Sequence, residues 1–395
     1  MVRSQKMRIY LDHNATTPVD AAVVDTVSDV LSNCYGNASS VHTFGQSAKA
    51  LLDDARRAVA ALVDAQSSEI VFTGGGTESD NLAIRGAAGR IKPSGRRHLI
   101  TSTIEHEAVL NTIKDLTQHD WTATYLPVGA TGVVNPSDLE AAISEQTALV
   151  SIMHANNEIG TLQPISELAS IAHAYGALFH TDAVQTAGKH PISVSELNVD
   201  LLSISGHKFN GPKGVGALWI KRGTRLTSSL TGGRQERNRR AGTENVAGIS
   251  GLGIAAKIAL NKLDHDTSRL GQLRDRLEAE ILCNVPGTEV NGTGQRVTNT
   301  SNISFLGIEA EALLIALDLE GIAVSTGSAC SSGTLEPSHV LRAMGFSPQR
   351  AQSSIRFSLG LGNTDEQITH VIRSLPPIVS KLRQLSGHQT ALRVS

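Results

Sequence analysis

The sequence predicts an α/β fold: a mainly parallel, seven-stranded sheet in a large domain, joined to a smaller α+β domain. Three observations carry this. Seven short apolar runs recur between residues 69 and 221. Several are separated by stretches with three- and four-residue apolar spacing, so strands alternate with helices and the sheet is covered on both faces. After Lys221 the composition changes, and Arg222 to Asn245 has little apolar periodicity.

In chain order, Gln46 to Val63 sets Leu51, Leu52, Ala55, Ala58, Val59 and Leu62 on one helical face. The runs Glu69 to Thr73, His98 to Ser102, Thr122 to Leu126, Ala148 to Met153, Ala177 to Thr181, Leu201 to Ser205 and Val215 to Lys221 read as buried strands. Ile165 to Tyr175 reads as a helix ended by Gly176, where a left-handed cap favours glycine. Past the Arg-rich segment, helices are expected at Ile249 to Leu263 and Ser268 to Leu282, and another at Glu309 to Glu320, stopped by Gly321. A last helical stretch begins at Thr364, and Pro376-Pro377 is expected to break or kink it. The division expected is 16–262 for the large domain, with 1–15 and 263–395 forming the small one.

Composition bounds the function. Lysine plus arginine (35) nearly balances aspartate plus glutamate (37), and a net charge of -2 excludes a strong field for nucleic acid or an anionic membrane. No run approaches ~20 uninterrupted apolar residues, so no membrane span is expected. Aromatics are only 3%, so the core must be aliphatic. The three cysteines, Cys34, Cys283 and Cys330, are too far apart for a disulfide framework or a structural zinc site, and a reducing cytoplasm is the expected compartment.

The chemistry-bearing residues follow strand ends, where open parallel sheets collect ligands. Gly74-Gly75-Gly76-Thr77-Glu78 lies between a strand and a helix, which makes either a tight turn or an anion cradle of free N–H groups. Neither a Walker A loop nor the Gly-x-Gly-x-x-Gly pattern is present. The strand before Asp182 ends in a carboxylate, and the next ends in Gly206-His207-Lys208. Alone, Asp182 reads as a cap or ion-pair partner and Lys208 as a surface charge. Together, on neighbouring strand tips, they supply an amine for an aldehyde and a carboxylate for a pyridine nitrogen, and with a phosphate cup they match what pyridoxal 5'-phosphate requires. His106 stands at another strand end, to stack on a ring or move protons, or simply as a structural histidine. His154 to Glu158 places amide donors at the same edge.

These residues resemble the pyridoxal-phosphate cysteine desulfurases of the NifS/IscS-like group, class-V aminotransferases of fold type I. The resemblance begins at Tyr10-Leu11-Asp12-His13-Asn14-Ala15-Thr16-Thr17-Pro18. It continues through Gly75 to Asn81, His180 to Gln185 and Ser205 to Lys208, and closes with Ser328-Ala329-Cys330 and Ser354 to Phe357. It implies that Lys208 forms the Schiff base, Asp182 pairs with the ring nitrogen, Gln185 meets the ring hydroxyl and His106 stacks on the ring. Gly76, Thr77, Ser205 and His207 would hold the phosphate, and Thr243 would reach the phosphate of the neighbouring subunit in a homodimer. Asn157 and Arg356 would bind the substrate carboxylate, for which a guanidinium fork is suited.

Cys330 lies among Ser, Thr, Gly and Ala, with no large apolar residue to bury it, whereas Cys34 and Cys283 read as inert core residues. The resemblance implies that Cys330 takes the sulfur of L-cysteine as a persulfide and passes it to an iron–sulfur scaffold or another acceptor, and that it can ligate an iron–sulfur cluster during transfer. No resident metal is expected. Gly74 stands where the family often has serine, and the tail from Leu385 to Ser395 differs from the scaffold-docking tail of the housekeeping enzymes. The rival readings are a fold-type-I aminotransferase, lyase or selenocysteine lyase with Cys330 incidental, a metal hydrolase using Glu105, His180, Asp182 and His207, and a docking protein using Arg234 to Arg240.

Overall fold

The computed structural model describes residues 7–326 and 337–387. Cys330 and the tail beyond Gly387 lie outside the described residues. After a short strand β1 (Ile9–Tyr10), helices α1 (Ala21–Asn33) and α2 (Thr43–Leu62) lead to β2 (Ile70–Thr73) and α3 (Gly76–Ile91). Then come β3 (His98–Ser102), α4 (Glu107–Thr117), β4 (Thr122–Leu126), α5 (Pro136–Ala142), β5 (Thr147–Ser151), α6 (Ile165–Ala174) and β6 (Leu178–Asp182). The short helix α7 (Val194–Leu197) precedes β7 (Leu201–Ser205) and β8 (Gly216–Ile220).

Strands β2 to β8 form one sheet in the order β2-β8-β7-β6-β5-β3-β4. Only β8 runs antiparallel to its neighbours. Strands β2, β5, β7 and β8 are buried along their whole length, which explains why they read as continuous apolar runs rather than alternating ones. The carboxyl ends of β2, β3, β5, β6 and β7 therefore open on one edge, and each leads into a segment singled out above.

The two helices expected on either side of residue 265 are one helix, α8 (Val246–Asn284), of 39 residues. The break expected at 264–267 is absent, and that polar stretch spans the interval between two cores. Ile249, Leu252, Ala255 and Ala256 belong to the core under the large sheet, whereas Leu270, Leu273, Leu277 and Ile281 belong to a second core. By length and composition α8 is apolar enough to cross a membrane. Many of its apolar residues are buried in these cores, although Leu260 and Leu282 are exposed, and Gly253 meets α2 so closely that a Cβ there would lie 2.6 Å from Ala55 Cα.

The second core gathers Ile9 and Leu11 with β9 (Thr288–Val290), β10 (Thr300–Phe305), α9 (Ala310–Leu319), β11 (Ile322–Ala323), β12 (Ser354–Ser358) and α12 (Asp365–Leu385) as its surrounding elements, whereas the short helices α10 (His339–Ala343) and α11 (Pro348–Gln352) send Val340, Leu341 and Ala351 into the first core. Strands β12, β10 and β9 form an antiparallel sheet, and β1 pairs in parallel with β11. Pro376-Pro377 does not break α12, which runs through both prolines. Ile368, Val371, Leu375 and Val379 form a buried stripe that holds the helix in place, offsetting the ~3 kcal/mol that an interior proline costs. The small-core reading of Cys283 is also corrected: Cys283 is exposed on α8, and Cys34 is half-buried.

Candidate active site

A cavity of about 250 Å³ opens at the carboxyl edge of the sheet. Its lining brings together nine of the twelve residues expected at the site: Gly76, Thr77, His106, Asn157, Asp182, Gln185, Ser205, His207 and Lys208. Thr243 is exposed and does not line it. Arg356 is 4% exposed on β12 and lies behind Asn157, donating to its carbonyl at 3.0 Å. Cys330, the twelfth, is outside the described residues.

One end of the cavity is built from backbone. Gly75 holds φ +146°, a conformation side chains rarely adopt. A Cβ on Gly76 would lie 2.8 Å from Val184 Cγ2, so glycine is required for the chain to approach this closely. The α3 N-terminus at Gly76 and Thr77 points its free N–H groups and positive dipole end into this end. A Cβ on Gly74 would come 2.7 Å from Glu78 Oε2. Glu78 accepts the Gly74 N–H at 2.7 Å and is gripped by Arg240 at 2.7 and 3.2 Å. A serine at position 74 would displace this carboxylate.

The opposite wall is acidic and buried. Asp182 is 7% exposed and accepts the Val184 N–H at 2.9 Å. Burial raises its pKa, opposed by the charges of His106 and Lys208. Asp80 beneath it is fully buried, its Oδ1 without a hydrogen bond and 3.6 Å from His180 Nε2, and burial together with Asp182 raises it well above the carboxylate range. Glu105 is pushed up to about 8 by burial, although it accepts the Ser102 hydroxyl and the Met153 N–H. His180 is also held away from the cavity, its ring nitrogens on Ser151 at 2.8 Å and Ser203 at 3.0 Å.

Lys208 follows β7 and donates to the carbonyls of Asn14 (2.6 Å) and Ala15 (2.9 Å). Burial, then the Arg356 charge, lowers its amine to about 8, opposed by Asp182 and Asp12. A neutral fraction of roughly a tenth therefore exists at pH 7, far more than an ordinary lysine supplies, and nucleophilic attack on an aldehyde requires that form. His106 caps α4: its Nδ1 accepts the Ala108 N–H at 3.1 Å, so a proton on the neutral ring belongs on Nε2. Burial, then Lys208, lowers His207 to about 4, and its Nδ1 lies 3.1 Å from Thr16 Oγ1.

Three residues of the site were given no role by the sequence reading. Asn14, 2% exposed, accepts Lys208 on its carbonyl, and its amide bonds Thr300 Oγ1 at 2.8 Å and the Asn157 carbonyl at 3.1 Å. Asp12 holds Arg356 at 2.6 Å. Lys189 lies 3.1 Å from Gln185 Oε1, and its four-residue spacing from Gln185 was the only local signal. The loop that bears Arg234 to Arg240 is itself anchored: Arg237 reaches the Ser68 carbonyl, Arg240 holds Glu78, and the loop's Glu236 forms a buried bidentate pair with Arg56 of α2 (2.7 Å each).

The residues present fit a planar heterocycle with a phosphate arm. The cavity has an anion-binding backbone at one end, a buried carboxylate in one wall and an amine within it. This combination defines a fold-type-I cofactor enzyme, and the chain belongs to the aminotransferase class-V family, which it matches over residues 9–371. Enzymes of that family are generally dependent on pyridoxal phosphate. The chain is 48% identical over 391 residues to cysteine desulfurase IscS of Dictyoglomus turgidum, covering 99% of each chain. It is 51% identical over 379 residues to the cysteine desulfurase of Trichormus azollae, covering 96% of this chain and 94% of that one. Among solved structures, a NifS-like protein superposes with a TM-score of 0.89 at 38% identity, over 95% of this chain and all of the other. Within the class-V family, this chain is an enzyme of the cysteine desulfurase group.

Proposed function

We propose that this enzyme binds pyridoxal 5'-phosphate and converts L-cysteine to L-alanine, leaving the sulfur as a persulfide on Cys330 for an acceptor in iron–sulfur cluster assembly. The observation that carries the reading is the convergence of Lys208, Asp182 and the α3 N-terminus on one cavity. When bound, the cofactor supplies an electron sink for the amino acid's bonds. Lys208 would hold its aldehyde, and Gly76, Thr77, Ser205 and His207 its phosphate. Asp182 would keep the ring nitrogen protonated, because a buried carboxylate gains most from an adjacent cation. Gln185 would meet the ring oxygen, and His106, stacked on the ring, would hold a proton at Nε2 toward the substrate.

Arg356, steadied by Asp12, and Asn157 would receive the substrate carboxylate. The Cys330 thiolate attacks the substrate sulfur: a sulfur–sulfur bond forms, the carbon–sulfur bond breaks, and its electron pair stays on carbon, which takes a proton to complete alanine. Both flanks of the 327–336 segment are tied to the site region. Ser325 pairs with the Arg356 backbone at 2.7 and 3.2 Å, and Ser338 Oγ donates to Glu158 at 2.5 Å. We further propose a cytoplasmic homodimer, in which exposed Thr243 serves the neighbouring subunit's phosphate. Peptide mass spectrometry after addition of L-cysteine is expected to find one extra sulfur atom on Cys330. Sulfur transfer that persists unchanged in Cys330→Ser would refute the assignment.

A further inference from the structure

We infer that Lys189 is a positioning residue: it grips the Gln185 amide oxygen so that a remaining amide N–H of Gln185 faces the ring oxygen of the cofactor. This rests on the reading above, in which Gln185 meets that oxygen. Gln185 lines the cavity and is 6% exposed. Its Nε2 donates to the Asn14 carbonyl at 3.0 Å, and its Oε1 accepts from Lys189 Nζ at 3.1 Å. A primary amide carries two hydrogens, so one remains. The opposite orientation would set two oxygens together at Asn14 and two nitrogens together at Lys189. The amide is therefore locked from both ends as a donor.

The setting of Lys189 argues that this grip is its purpose. Among the described residues no carboxylate lies within ion-pair distance of its amine, while Lys208 and Arg356 are cationic neighbours. Burial, then those charges, lowers the amine to about 7. An amine is disfavoured in such a place unless its hydrogen bonds repay the desolvation. Its other partner is Asn14 Oδ1 at 3.4 Å, on the residue whose carbonyl Lys208 uses. Among the described residues, the side-chain hydrogen bonds of the Lys189 amine lead toward the cofactor site through Gln185 and Asn14.

A donor on the ring oxygen stabilises its negative charge and lowers the pH at which the neighbouring Schiff-base nitrogen loses its proton. The test is a pH titration of the visible absorbance of the cofactor-loaded protein, without substrate. Lys189→Met is expected to raise the midpoint by roughly half to one unit, and Lys189→Arg, which keeps a donor, to restore it. In the Gln185→Ala background, Lys189→Met should add nothing. An unchanged midpoint in Lys189→Met, or an equal rise with and without Gln185, overturns the inference, since Lys189 would then be inert or act as a distant charge. If Lys189→Met does not fold, Lys189→Arg decides: a wild-type midpoint supports the grip, and one as high as in Gln185→Ala overturns it. Failure of the wild-type protein to develop the absorbance with pyridoxal phosphate would instead sink the functional reading itself.

Discussion

The two ends of the cavity are built on different principles. The end at Gly75 to Thr77 is local: one strand end, glycines and one helix N-terminus within a few residues create an anion site. The support around Asn14, which lies behind the lining residues Lys208, Gln185 and Asn157, is assembled from afar, since Asn14 bonds all three as well as Asn299 and Thr300. A local cradle tolerates changes elsewhere in the chain. A hub spread over both cores depends on their relative placement, and a perturbation of either core reaches it.

The contrast can be broken hardest at Lys208, which lies between the two ends. Lys208→Ala is expected to lower sulfide release from L-cysteine on the order of 10³-fold or more, while phosphate or pyridoxal phosphate still binds reversibly at the backbone end by equilibrium dialysis. Loss of all binding would show that the cradle does not stand alone. Asn14→Ala removes the side-chain bonds to Thr300, Asn299 and the Asn157 carbonyl, leaves the backbone carbonyl that accepts Lys208 and Gln185, and does not touch the cradle. It is expected to cost about 2 kcal/mol of stability in chemical denaturation, because buried partners lose their bonds, and to slow turnover while phosphate affinity changes little. The smallest effect is on pH. The Lys208 amine is lowered from 10.5 to about 8, so it is neutral above that value and charged below. Capture of pyridoxal phosphate by the apoenzyme should therefore speed up as pH rises toward about 8 and level off above it, and a rate flat from pH 6 to 9 would contradict the lowered amine. The same sign makes this group favour the fold increasingly between about 8 and 10.5, where the unfolded chain holds the proton that the folded one has released.

What the sequence made legible follows the same division. β3, β4 and β7 match their expected limits, because a fully apolar or strongly β-prone run bounded by polar turns leaves little choice. Gly76, Asp182 and Lys208 were readable because each directly follows or ends a strand. The roles of Asn14 and Lys189 were not legible, although Asn14 lies in the first motif of the resemblance and Lys189 stands four residues from Gln185, since those roles arise from contacts across the fold. The Asn14 amide meets residues 143 and 286 positions away. The continuity of α8 and α12 was missed for a related reason: polar residues and prolines weaken a helix locally, and only packing on a distant core outweighs them.

Helix α8, roughly 58 Å long at 1.5 Å per residue, gives a wall to each of the two apolar interiors in turn. It offers no seam along which one interior could melt and leave the other intact, because fraying at either end strips side chains from a shared beam. Thermal damage that begins around β9 or α12 is thereby carried toward the sheet that bears Lys208, and catalysis and global unfolding are expected to fail together.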